Sequence, residues 1–170
     1  DTHLYVKNFS FEPLNGRPTA ENLSPLSRFE NLDDAGGDYL VQFDAPIKGE
    51  WLSELKNIGL ETIQYFPNQA YLVKGSAAAA RAAQTLARVR FVGEYHPAYR
   101  LPAELAWVFD DVVRKNSYGI DRASPYDISV SKSADVNNVL GIIQKANGQV
   151  LNRMALANNF FDVIRVQLPP

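Results

Sequence analysis

The chain has no cysteine and only two histidines, His3 and His96, among its 170 residues. The first absence removes disulfides, thiolate metal sites and a cysteine nucleophile together. The second removes most of what is left of side-chain chemistry. A hydrolytic triad needs a base held beside a nucleophile, and no nucleophile-elbow sequence accompanies either histidine. Clustered imidazole ligands for a transition metal are lacking too, so neither a catalytic residue nor a metal or cofactor is expected. Charge of one sign is equally scarce: 17 Lys and Arg stand against 19 Asp and Glu, with no long like-charge run. That balance speaks against nucleic acid or an anionic membrane as partner. No apolar run approaches the roughly 20 residues that span a bilayer. Asp1 opens on neither the charged nor the apolar stretch of a signal peptide, and a start at Asp reads as a processed or trimmed chain.

What is present is sufficient for a core, since 46% of the residues are hydrophobic. Residues 1–37 read as an N-terminal arm and linker. Leu4, Val6, Phe9 and Phe11 alternate loosely and could add an edge strand, while Pro13, Gly16, Pro18, Pro25, Gly36 and Gly37 break regular structure beyond them. A module follows over residues 38–100. Tyr39, Val41 and Phe43 alternate with Leu40 and Gln42 in the period-2 pattern of a half-buried strand. Trp51, Leu52, Leu55 and Ile58 have helical spacing, with Gly59 as a left-handed cap. Leu60 to Phe66 and Ala70 to Lys74 read as a hairpin about Pro67-Asn68-Gln69. Ser76 is placed to cap an alanine-rich helix running to Val89, and Arg90 to Tyr95 forms the fourth strand. These elements predict an α+β fold, a ferredoxin-like βαββαβ module with two helices on one face of an antiparallel sheet.

Residues 101–124 predict a connecting helix, Leu101 to Lys115, and a loop. From 125 to 170 the same grammar restarts, and four of its six elements are reached, giving a second, incomplete βαββ module. Ser133 is the expected cap of its helix, Asn147-Gly148 closes it, and strands follow at Gln149 to Leu156 and Phe160 to Leu168. Aligning Tyr39 with Tyr126, Gly59 with Gly148 and Tyr71 with Phe160 gives offsets of 87, 89 and 89 residues. Identity between the copies is thin, which leaves chance similarity of two α+β segments as the competing account. An incomplete second sheet is expected to self-associate, take a partner segment or pack on the first module.

Three apparent sites have simpler explanations. Asp33-Asp34 precedes a glycine turn, and Asp110-Asp111 falls on a helix where neighbours point apart. Gly59, Gly75 and Gly148 could line effector clefts of a ligand-sensing domain, but helix caps and turns account for them. Tyr39, Phe43 and Tyr71 could stack bases, as the βαββαβ fold does in RNA-recognition domains. They alternate with a set holding Gln42, Gln64, Lys74 and Glu94, so they form the more apolar face, the core beneath the helices.

Tyr39-Leu40-Val41-Gln42-Phe43-Asp44-Ala45-Pro46, Trp51, Gly59, Tyr65 to Val73 and Val92 to Tyr99 together resemble the N-terminal pro-regions of bacterial subtilisin-like serine proteases. Phe9-Ser10-Phe11-Glu12-Pro13-Leu14 resembles the lead-in to such regions. The resemblance implies a prodomain that assists folding of the protease and inhibits it, with no enzyme activity of its own and a secreted location. It implies a subtilisin-like catalytic domain as partner, in cis or in trans. The sheet face opposite the helices would contact that enzyme, through Leu40, Gln42, Thr62, Gln64, Leu72 and Lys74. The segment His96-Pro97-Ala98-Tyr99 would lie in its cleft as an extended tail, gaining affinity from main-chain pairing. The alternative is a noncatalytic extracellular interaction or assembly module.

Overall fold

A computed structural model describes residues 2–6, 9–15, 37–100, 125–132, 134–157 and 161–169. The arm beyond residue 15, the connecting helix and Ser133 lie outside the described residues. The chain divides into two compact units, residues 1–116 and 117–170, both α+β with antiparallel sheets.

In the first unit the strands are β1 (Leu4–Val6), β2 (Phe9–Phe11), β3 (Gly37–Phe43), β4 (Glu61–Phe66), β5 (Ala70–Gly75) and β6 (Val89–Glu94), with helices α1 (Gly49–Asn57) and α2 (Ala77–Ala83). Four of the strands form one sheet in the order β4-β5-β3-β6, antiparallel at every pairing. Tyr39, Val41 and Phe43 turn to the helices and meet Trp51, Leu55, Leu60, Val73 and the α2 alanines in the core. Tyr71 packs against the same cluster, so the aromatic set is core. Glu94 shares this face by register, opposite Tyr39, and not the polar set to which alternation assigned it.

Helix α1 ends where the sequence marks it. Gly59 takes φ +90°, its N–H reaches the Lys56 carbonyl at 3.0 Å, and the Leu60 N–H reaches that of Leu55 at 2.9 Å. These are the two bonds of a Schellman cap, which needs a left-handed residue at its centre. Helix α2 is shorter than the sequence predicts. Ser76 caps it, its hydroxyl accepting from the Ala79 N–H at 3.1 Å, but the Thr85 hydroxyl takes the Ala82 carbonyl at 2.8 Å and the chain tightens into turns. Such a side-chain bond competes with continued helix.

The arm does not add an edge strand. Strands β1 and β2 pair with each other as a separate two-stranded ribbon, packed on the sheet face away from the helices. Leu4 and Val6 are fully buried there, and Tyr5 points outward.

The second unit contains β7 (Tyr126–Ser131), α3 (Val136–Lys145), β8 (Gln149–Met154) and β9 (Phe161–Gln167), ordered β7-β9-β8. Asp135, not Ser133, caps α3, its carboxylate accepting from the N–H groups of Asn137 and Asn138. Val130, Ile143, Ile164 and Val166 form the core.

Two local irregularities recur in both units. A bulge interrupts β4 between Thr62 and Gln64 and interrupts β8 between Val150 and Asn152. A Schellman cap closes both α1 and α3, but in α3 the left-handed residue is Asn147 (φ 54°), with its N–H on the Gln144 carbonyl and the Gly148 N–H on that of Ile143. The counterpart of Gly59 is therefore Asn147, 88 residues on, and not Gly148. Val73 lies between Tyr39 and Thr62, as Val166 lies between Tyr126 and Val150, which makes Ile164 the counterpart of Tyr71 rather than Phe160. The connection from β8 to β9 is longer than that from β4 to β5, and this shifts the last offset. Strand β3 has a neighbour on both sides; β7 has one among the described residues, and Tyr126 and Ile128 are only half-buried.

Candidate functional site

Alternation on β3 sends Leu40 and Gln42 to the face opposite the helices, where both are 1% exposed. Leu72 is buried with them, Lys74 is half-buried and Gln64 is exposed at the edge. Thr62 does not belong to this set. The bulge places it opposite Val73, and antiparallel partners share a face, so Thr62 stands on the helix side. The extra residue is Ile63, itself buried.

The face is therefore a second interior roofed by the ribbon. Gln42 holds it at the centre. Its Nε2 donates to the Thr2 carbonyl at 2.9 Å and to the Asn68 carbonyl at 3.0 Å, while its Oε1 accepts from Arg90 Nη1 at 3.1 Å. Arg90 reaches this position because it is the bulged residue of β6, between partners of Gln42 and Phe43. Its other nitrogen donates to Glu12 Oε1 at 2.7 Å, in a pair whose side chains are only 18% and 16% exposed. Asn68, left-handed in the hairpin turn, donates to the His3 carbonyl at 2.7 Å. Thr2 and the Leu14 amide also donate to Glu12. The Thr2 hydroxyl first, then Arg90 and Leu14, hold the Glu12 carboxyl below its ordinary range, against the opposing effect of desolvation. No buried side-chain nitrogen or oxygen among the described residues lacks a partner.

The segment expected as an extended tail is instead a turn of 3-10 helix, Pro97–Arg100. Tyr99 is buried, its ring against Phe9, Phe11, Tyr95 and His96, and its carbonyl accepts the Tyr95 hydroxyl at 3.2 Å. An aromatic residue at this position gains more from the interior than from solvent. Burial pushes the Tyr95 hydroxyl above its ordinary pKa, with the Asp38 charge adding to the rise and Arg100 opposing it.

Of the expected contact residues, then, the fold brings Leu40, Gln42 and Leu72 together with Tyr99, beneath the ribbon. Thr2, Glu12, Asn68 and Arg90 join them, none of which the sequence placed among the contact residues. The available signal was apolar: Leu40, Leu72 and Phe66 on an apparently open face require a cover. Among the described residues no group of three or more His, Asp or Glu side chains is arranged to hold a metal ion, and no helix is long and apolar enough to cross a membrane.

Residues 5–96 match the family model described as Domain of unknown function (DUF8729), more than half of the chain. The chain belongs to that family. The family span takes in the ribbon from Tyr5 and runs through β6 to His96, so ribbon and sheet fall within one domain. No curated protein and no solved structure matches the chain.

Proposed function

We propose that this chain is the pro-region of a secreted subtilisin-like serine protease, an intramolecular chaperone and inhibitor working through protein contacts. The observation that carries the reading is where the resembling stretches fall. Tyr39 to Pro46, Tyr65 to Val73 and Val92 to Tyr99 are far apart in sequence, yet they supply β3, the β4–β5 hairpin and β6 of a single sheet. The order β4-β5-β3-β6 beneath two helices supports a ferredoxin-like βαββαβ arrangement and, with it, the same reading. With Tyr99 buried, inhibition in this reading comes from the surface of the sheet unit and not from residues 96–99. The test is to add the purified chain to a subtilisin-type protease, both folded and refolding. Slowed hydrolysis at micromolar or lower concentration, or a raised refolding yield, is the expected outcome, and no effect on either refutes the reading.

A further inference from the structure

The two larger sheets end in four outer strands, and three of these are broken by a bulge. β4 is interrupted between Thr62 and Gln64, β8 between Val150 and Asn152, and β6 carries Arg90 as an extra residue between the partners of Gln42 and Phe43. A bulge twists an outer strand away from further pairing, and a charge on its covered face has the same effect. β8 has both, since Arg153 pairs with core Ile164 and so shares the helix face. β7 has neither. Its residues, Tyr126–Ser131, pair with β9 in unbroken register and include no Lys, Arg or Pro, and among the described residues its other side has no neighbour.

The first unit shows what kind of element belongs at that side. β3, the strand matching β7, is flanked there by antiparallel β6, with α2 against both. Among the described residues of the second unit α3 is the only helix and it packs on β8, which leaves Tyr126 and Ile128 half-buried on the helix face. A strand like β6 does not suit the gap. Phe91 of β6 stands opposite Gln42, and the position matching Gln42 is Ser129, on a face kept polar and solvated by Asp127, Ser129 and Arg165. The occupant has to be apolar toward the helix and polar away from it. β7 is itself such a strand, with Tyr126, Ile128 and Val130 on one face and Asp127 and Ser129 on the other.

We propose that two copies of this chain associate by antiparallel pairing of β7 with β7, joining two three-stranded sheets into one. With Ile128 at the centre, Ile128 meets Ile128, Tyr126 of each copy opposes Val130 of the other, and Asp127 opposes Ser129. Every apolar residue then faces an apolar one. A register centred on Asp127 sets two carboxylates opposite each other, and one centred on Ser129 sets Lys132 against Tyr126. A contact one strand wide is small, so the dimer is weak and depends on concentration. The pairing stands independently of the pro-region reading.

Sedimentation equilibrium of the whole chain, from micromolar to submillimolar concentration, measures the association. Ser129 is exposed, so substitutions there leave the core intact. Ser129→Asp is expected to weaken the dimer about tenfold, since symmetry places a carboxylate opposite Asp127 twice, and Ser129→Lys to strengthen it by the opposite charge. Ile128→Lys is expected to abolish it, as an inward-pointing charge does at an outer strand. Hydrogen exchange of the β7 amides that face outward should slow as the concentration rises. A monomer at every concentration overturns the proposal. So does a dimer in which the two Ser129 variants do not move in opposite directions, or in which exchange of β7 ignores concentration. Should Ile128→Lys fail to fold by circular dichroism, the Ser129 pair decides.

Discussion

Gln42 Nε2 lies 2.9 Å from the Thr2 carbonyl, joining the central strand of the sheet to the ribbon across 40 residues of sequence. The same amide meets Asn68 and Arg90, so a side chain 1% exposed has every partner it needs. A buried polar group so placed fixes geometry, because any other position of the ribbon leaves it unsatisfied.

Gln42→Leu is accordingly expected to destabilise the first unit by about 1–3 kcal/mol, by removing the amide that the Thr2 and Asn68 carbonyls and Arg90 each bond, Asn68 and Arg90 keeping only their other contacts. Gln42→Glu is the sharper variant. It keeps an acceptor for Arg90 but turns oxygen toward the carbonyls of Thr2 and Asn68, and is expected to cost at least as much at neutral pH. Urea denaturation followed by tryptophan fluorescence measures both, and a Glu variant as stable as the native chain would contradict the assigned bonds.

Acid should loosen the ribbon. The Glu12 carboxyl is held below its ordinary value of 4.5, chiefly by the Thr2 hydroxyl and also by Arg90 and the Leu14 amide. A folded-state pKa below the unfolded one contributes stability that is present above the unfolded value and is lost as pH falls through the folded value. Hydrogen exchange of the Leu4 and Val6 amides is therefore expected to accelerate, relative to the α1 amides, as pH drops below about 4. Glu12→Gln should show that faster exchange already at neutral pH and change little on acidification.

Much of the fold could be read from the sequence because the relevant signals are local. Period-2 alternation located β3, the Pro67-Asn68-Gln69 turn located the β4–β5 hairpin, and Gly59 and Ser76 marked a helix end and a helix start by their own backbone and side-chain chemistry. Thr62 was assigned to the wrong face because a bulge adds one residue without any distinctive side chain, and every later position on that strand then appears in register. The site was harder to read for a different reason. Its bonds join residues as far apart as Thr2 and Arg90, and Gln42 in isolation is indistinguishable from a polar residue on a solvated face. Burial of Tyr99 likewise depends on Phe9 and Phe11, which the sequence places some 90 residues earlier.

The Gly59 carbonyl restricts Gly75. A Cβ on Gly75 would stand 2.6 Å from the Gly59 carbonyl oxygen and 2.6 Å from Leu60 Cδ2, and the first of these is backbone that cannot rotate away. Gly75→Ala is expected to cost about 2–3 kcal/mol, at the upper end for overpacking. Gly59→Ala meets only Ala79 Cβ, at an ordinary 3.9 Å, but has a left-handed backbone and is expected to cost about 1 kcal/mol. The reverse change at the matching position of the second unit, Asn147→Gly, should stabilise α3 by a few tenths of a kcal/mol, read from exchange of its amides.

Tyr95 and Tyr99 close the same interior from the other end of the sheet. Tyr99 is 1% exposed and touches both ribbon aromatics, so Tyr99→Ala is expected to cost about 3–5 kcal/mol and to release the ribbon, with faster exchange at Leu4 and Val6. Tyr95→Phe removes only the hydroxyl bond to the Tyr99 carbonyl, at about 1 kcal/mol. Alkali separates the two roles. Burial raises the Tyr95 pKa above its ordinary 10.0, so its contribution is complete below that value and lost as pH rises through the folded pKa, where a phenolate can no longer donate. Ultraviolet difference titration should find one tyrosine ionising late and together with unfolding in the native chain, and that late phase should be missing in Tyr95→Phe. A late phase that persists in the variant would place the perturbed hydroxyl elsewhere.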